Sequence, residues 1–305
     1  MRPEFPAVSA ATPAAAVATV PRPALADFLE LTNPTVVWLI LLSTAVGFYL
    51  ASAGPLDVLL LLHTLAGTAL LAAGTGALNQ WLERGLDAKM RRTRNRPLPA
   101  GRLRSRPAFW FGVALSVAGV AYLLAAVNSL AALTGFLTLA SYLGLYTPLK
   151  TRTSLATFVG AFPGAAPPLI GWAAAAGHIG LEGWLIFAIL FLWQFPHFYA
   201  IAWIYREDYG RAGIRMLPVI EPDGVSTGRR IIWYAAILVP ISLAPSFAGM
   251  TGKFYFVAAL LLSTAYLASG LRTASAKTTI QARKLLRTSV LYLPLLYVFL
   301  VLDKT

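Results

Sequence analysis

The chain contains no cysteine and only three histidines among its 305 residues. A disulfide framework, a thiolate metal site and a cysteine nucleophile are therefore excluded. Charge is scarce as well. Asp, Glu, Lys and Arg together make up 12% of the residues, where an ordinary soluble domain carries about 25%. Acids are the scarcer sign, 12 against 25 Lys and Arg, for a formal net charge of +13. What fills the chain instead is apolar, with 58% hydrophobic residues and a mean hydropathy of +0.68. The charges cluster between long apolar runs, which is the pattern of an all-α polytopic membrane protein. Because the basic residues lie in the connections, the positive balance reads as membrane orientation, and nucleic acid is excluded as a partner. The first 24 residues are rich in Ala and Pro and lack the compact apolar core of a signal peptide. They are expected to form a disordered cytoplasmic tail ahead of one transmembrane domain over 25–305.

Apolar runs of about 20 residues predict nine spans, near 34–53, 56–82, 107–126, 129–148, 154–175, 181–203, 229–249, 253–272 and 283–302. With nine spans, the N-terminal segment and the connections after spans two, four, six and eight share one side. That side holds 23 of the 25 Lys and Arg, and only Lys253 and Lys304 fall opposite. One helix more or fewer would scramble this separation. Positive residues stay inside, so the N-terminus is expected in the cytoplasm and the C-terminus outside. An Ala/Arg/Pro-rich start without a persuasive transit peptide points to a bacterial inner (plasma) membrane.

The second span ends in Asn79, Glu83 and Asp87, four residues apart. On a helix they stack on one face, drifting about 40° per step. Two carboxylates and an amide oxygen on one face suit Mg²⁺, a hard cation that also keeps waters and substrate phosphates in its shell. The alternative is an amphipathic helix end whose acids pair locally with Arg84 or Lys89. Lys89, Arg91, Arg92, Arg94 and Arg96 follow immediately. Arginine's planar fork grips phosphate oxygens two at a time, and Arg92 and Arg96, one helical turn apart, are the best pair.

The connection after span six brings Trp193-Gln194-Phe195-Pro196-His197-Phe198 and then Asp208. His197 and Asp208 are eleven residues apart, so one continuous helix would place them on one face as a second site. The connection after span four carries Tyr146, Lys150 and Arg152, whose cations could complete a diphosphate clamp or serve only as positive-inside residues. Trp81, Phe195 and Phe198 could face a carbocation through their ring quadrupoles, with packing as the other role. His63 and His178 read as structural.

The run from Asn79 through Glu83, Asp87, Met90, Arg92, Thr93 and Arg96 to Leu98 resembles the first signature of the UbiA superfamily of intramembrane prenyltransferases. A narrower likeness, to the haem-modifying branch, rests on four further groups: Tyr146-Thr147 with Lys150; Pro167-Pro168 with Gly171-Trp172; Trp193 with Pro196-His197-Phe198; and Asp208-Tyr209 with Ala212-Gly213 and Met216-Leu217-Pro218-Val219. The ordered set covers about residues 33 to 220. Departures are also visible. Asn33-Pro34-Thr35 replaces the usual Lys-Pro-Arg, Gln80 and Glu83 stand where the superfamily often has Asp, and Ala156 takes the place of an Asn. His197-Phe198 replaces a superfamily Asp, as is typical of the haem branch.

The resemblance implies a nine-helix UbiA-like bundle with a cytoplasm-facing cavity. It implies transfer of a farnesyl group from farnesyl diphosphate to a vinyl group of haem b, a substrate and not a cofactor, with water addition to give haem O. It further implies Mg²⁺ on Asn79, Glu83, Asp87 and Asp208, and diphosphate held by Arg92, Arg96, Lys150 and Arg152. His197, Phe198 and Tyr146 would lie toward the prenyl cation or acceptor. The lipid bilayer is a partner, and pairing with a haem A synthase is a further expectation. Two other readings remain: a prenyltransferase acting on an aromatic or quinone precursor, and a transporter, which would want ionisable residues near the bilayer midplane.

Overall fold

The computed structural model describes residues 24–305. The expected disordered tail over 1–24 lies outside them, apart from Ala24, which opens the first helix. Helices follow one another as α1 (Ala24–Leu31), α2 (Pro34–Ala51), α3 (Val58–Asp87), α4 (Ser105–Ala126), α5 (Ser129–Ser141), a π-helical turn (Tyr142–Tyr146), α6 (Thr147–Leu149), α7 (Ala156–Ala165), α8 (Pro167–Ala176), α9 (Leu181–Ile204), α10 (Arg206–Ala212), α11 (Leu217–Ile220), α12 (Val225–Phe247), α13 (Lys253–Ala276) and α14 (Thr279–Leu302). No strand occurs among the described residues. Among the described residues nine helical segments are long and apolar enough to span a bilayer, one for each expected run, and the chain is a multi-pass membrane protein.

The helix boundaries follow local chemistry. Asp57 caps α3 by accepting the Leu60 N–H at 2.9 Å, and Asn128 caps α5 by accepting that of Ala131 at 2.8 Å. Pro34 and Pro167 sit in the first turns of α2 and α8, where a missing N–H costs nothing. Three spans are built differently from expectation. The expected 154–175 run is two helices, since Pro167 and Pro168 cannot continue the ladder of α7. The fourth span passes through the π turn just before Pro148, whose ring and missing N–H disturb α-helical bonding. The second span extends to Asp87 as one helix, so all three ladder residues are helical. Short α1, which the apolar pattern did not reveal, precedes the first span.

Close approach between α2 and α8 depends on two glycines. A Cβ at Gly171 would lie 1.9 Å from the Thr44 carbonyl oxygen, and one at Gly47 would lie 2.1 Å from that of Pro168. At the far end from the ladder, the Lys304 ammonium donates to the Tyr49 and Ser52 carbonyls at 2.7 Å each, closing the C-terminal end of α2.

Candidate active site

The ladder face of α3 is buried at its polar end. Glu83 and Asp87 are 8% and 1% exposed, unusual for carboxylates. Their partners are not the local cations. Arg84 stacks on Trp81 and donates to its carbonyl, and Trp81 itself donates to Ser105. Glu83 Oε1 instead accepts from Lys150 Nζ at 2.6 Å, and Glu83 Oε2 accepts from the Asn79 amide at 3.0 Å. Thr147 Oγ1 lies 3.0 Å from Asn79 Oδ1 and 2.9 Å from the Tyr142 carbonyl. The π turn thus brings Thr147, Tyr146 and Lys150 onto α3. The Tyr146 ring is fixed against Gly160, where a Cβ would come within 2.5 Å of it, and Lys150 Nζ sits 4.4 Å from the ring centroid. Burial disfavours the Lys150 cation, but the oxygens of Tyr146, Glu83 and Tyr142 outweigh it, and the pKa is raised above the ordinary lysine value.

Asp87 Oδ2 accepts from Arg96 at 2.8 Å, while Asp87 Oδ1 is buried with no hydrogen-bond partner among the described residues. Thr93 Oγ1 donates to the Asp87 carbonyl at 3.0 Å. Residues 88–101 are a succession of turns. Arg92 and Arg96 are therefore not neighbours on a helix as the spacing suggested: Arg96 pairs with Asp87, and Arg92 lies over the Tyr205 ring at 5.3 Å.

Asp208 meets the same turns from the other side. Its Oδ1 and Oδ2 accept the backbone N–H groups of Arg91 and Arg92 at 3.3 and 3.4 Å, and it also pairs with Arg211. Met90, Ala212 and Ile214 form an apolar cluster beneath this junction. The Arg215 N–H donates to the Lys150 carbonyl at 2.8 Å, so the three motif-bearing connections meet at one end of the bundle. Arg152 is exposed there.

The structure does not unite His197 with Asp208. The continuous helix assumed from their spacing is interrupted at Tyr205, between α9 and α10. His197 Nδ1 is 2.7 Å from Ser289 Oγ on α14, and its ring stacks on Trp193. Phe198 lies against His197, while Phe195 is fully buried and stacked on Tyr234 at 3.8 Å, a packing role. His63 meets the Tyr122 hydroxyl at 2.8 Å, and His178 contacts the Ala176 carbonyl.

Sequence reasoning missed the clasp beside the site. Arg102 pairs with both Asp27 and Glu30 of α1 and donates to the Asn95 carbonyl at 2.9 Å. Gln80, conspicuous only as a departure, donates to the Leu31 carbonyl at 3.0 Å and docks α1 on α3. The available signal was two acids three residues apart just before the first span, in a chain with so few.

The arrangement offers two carboxylates and one amide oxygen on a buried face, ringed by guanidinium and ammonium groups. Among the described residues no group of three or more His, Cys, Asp or Glu comes together as a closed metal cage. Such an open oxygen set suits a hard cation shared with a phosphorylated ligand.

Both the sequence and the fold are similar to those of known proteins. Residues 40–296 match the model of the UbiA prenyltransferase family. The chain is 55% identical to a protoheme IX farnesyltransferase of Solibacter usitatus, over 91% of this chain and 98% of that one. It is 44% identical to one of Koribacter versatilis, over 94% and 97% respectively. The fold is similar to that of a digeranylgeranylglyceryl phosphate synthase, with a TM-score of 0.78 at 15% identity over 92% of this chain and 98% of that one. It is also similar to a UbiA homologue from Archaeoglobus fulgidus bound to GPP and Mg²⁺, with a TM-score of 0.62 at 16% identity over 90% and 99%.

Proposed function

The chain belongs to the UbiA prenyltransferase family, and on that premise we propose that the polar end of its bundle is where a farnesyl group is released from diphosphate and delivered to haem. The enzyme transfers the farnesyl group of farnesyl diphosphate to a vinyl group of haem b, with addition of water, and yields haem O and diphosphate.

The observation that carries the assignment of roles is the Asn79–Glu83–Asp87 face with its unpartnered Asp87 Oδ1. This orphan oxygen, the Glu83 carboxylate and the Asn79 amide oxygen fit Mg²⁺, which accepts one or two carboxylates and fills its shell with water and phosphate oxygens. When bound there, Mg²⁺ supplies neutralisation of the diphosphate charge. Arg96 and Lys150, already seated on Asp87 and Glu83, and the exposed Arg92 and Arg152 hold the diphosphate and accept the charge it gains as it leaves. Asp208 was expected as a fourth oxygen ligand. With its oxygens on the Arg91 and Arg92 N–H groups, it serves instead as a positioning carboxylate that sets the turn carrying Arg92.

The bond from farnesyl C1 to the diphosphate oxygen breaks with its electron pair leaving on diphosphate. A haem vinyl group supplies the pair for the new C–C bond, and water adds to the resulting cation and loses a proton. Tyr146, His197 and Phe198 face the prenyl and acceptor side in this reading, and the apolar bundle dissolves the chain and keeps water away until capture. Residues 25–305 act as one transmembrane domain. The excess of Lys and Arg at the site's end puts that end in the cytoplasm and the C-terminus outside, in a bacterial plasma membrane. Haem O stays in the bilayer, which suits hand-over to a haem A synthase in the same membrane.

Membranes containing the chain, supplied with haem b, farnesyl diphosphate and Mg²⁺, are expected to form haem O, detected by mass. Prenylation of 4-hydroxybenzoate with no haem O would move the chain to the quinone-precursor branch.

A further inference from the structure

Away from the site, the polar ends of α12 and α13 leave an open groove of about 350 Å³ whose lining includes Arg229, Lys277, Trp233, Ser275 and Gly228. It lies on the same end of the bundle as the motif loops. Two cations flank it, and among the described residues no acid pairs with either: Arg229 makes only a 3.5 Å contact with Ser226, and Lys277 forms no ion pair. Asp223, the nearest acid in sequence to Arg229, lies in the turn before α12 and accepts the Val225 N–H at 3.0 Å.

Trp233 stands one turn from Arg229 and is 63% exposed, an amphipathic ring of the kind that settles at headgroup depth. Thr227 lies behind the groove, on the buried side of α12. It is 1% exposed, and its hydroxyl has no partner. It lines a small pocket that shares Gly228, Ala274 and Lys277 with the groove. Lys277 also occupies a left-handed backbone conformation (φ 50°) at the end of α13, where glycine is the ordinary residue. A long cation is thus kept where local conformation favours no side chain.

We propose that this groove binds one anionic phospholipid, with the headgroup phosphate between Arg229 and Lys277 and the acyl chains running along α12 past Trp233. Unpaired cations and an interfacial tryptophan together fit an anionic headgroup, whereas a zwitterionic one would bring its own cation into a basic groove. Juxtamembrane Lys or Arg each contribute about fivefold to anionic-lipid binding.

The test is native mass spectrometry of the delipidated full chain, titrated with phosphatidylglycerol or phosphatidylcholine of matched acyl chains. Phosphatidylglycerol is expected to bind tightly in one copy. Arg229→Gln/Lys277→Gln should weaken it more than tenfold and leave phosphatidylcholine unaffected. Arg272→Gln/Arg283→Gln removes the same charge from the same end outside the groove, and should change little. Lys277→Gly, which suits the backbone there, should by itself weaken phosphatidylglycerol about fivefold in a protein that remains folded. Equal loss in the control pair would show diffuse charge, and unchanged binding in Lys277→Gly would show an idle lysine; either result overturns the proposal.

Discussion

Asp208 accepts the backbone N–H groups of both Arg91 and Arg92, 117 and 116 residues earlier in the chain. One carboxylate therefore joins the connection after α3 to the one after α9. Removing it strands two donors and releases Arg211, and each stranded group costs about 1–3 kcal/mol. Asp208→Ala is expected to lower haem O formation at least as much as Arg152→Ala, whose side chain is exposed. It should act mainly through weaker retention of farnesyl diphosphate, read as a raised KM. The reverse order of the two variants would refute the positioning role.

Asp87→Ala removes the orphan oxygen and the partner of Arg96 together. Activity is expected to fall about 100-fold or more, while insertion and helical content remain as in the parent. Turnover close to that of the parent would dispose of the Asn79–Glu83–Asp87 face as the catalytic centre.

The Lys150–Glu83 pair is nearly buried, with the two side chains 12% and 10% exposed. Lys150→Met leaves the Glu83 carboxylate buried without its cation, which costs about 3–5 kcal/mol. The double variant Glu83→Gln/Lys150→Met should cost less than the two singles summed, a difference measurable by thermal unfolding in detergent. Because the folded-state pKa of Lys150 is raised, its contribution is complete below the unfolded value of about 10.4 and is lost only as pH climbs through the higher folded value. The coupling energy should accordingly be the same at about pH 7 and pH 9, both below that unfolded value. A coupling that vanishes by pH 9 would contradict the assignment.

Gly171→Ala places a methyl group against the Thr44 carbonyl, with backbone on both sides and no side chain able to move. The loss should reach the upper end of about 1–3 kcal/mol for overpacking. Gly85→Ala, on the ladder helix but with open space around it, serves as the comparison. Equal stability of the two variants would mean that α2 and α8 do not cross as closely as described.

Sequence alone determined that nine apolar segments span the membrane, because hydrocarbon demands long uninterrupted runs and each run is visible locally. It also determined that the Asn79, Glu83 and Asp87 side chains share a face, because helical periodicity relates residues within one segment. The choice of partners was decided by the tertiary structure. Glu83 lies four residues from Asp87 and one from Arg84, yet it pairs with Lys150 across the bundle, and Asp87 reaches Arg96 only because residues 88–96 fold back as turns. The interruption at Tyr205 likewise sends His197 to Ser289 and Asp208 to the arginine turn. Side-chain pairing across helices depends on packing and on where a helix stops, and neither is written in the spacing of residues along one strand of sequence.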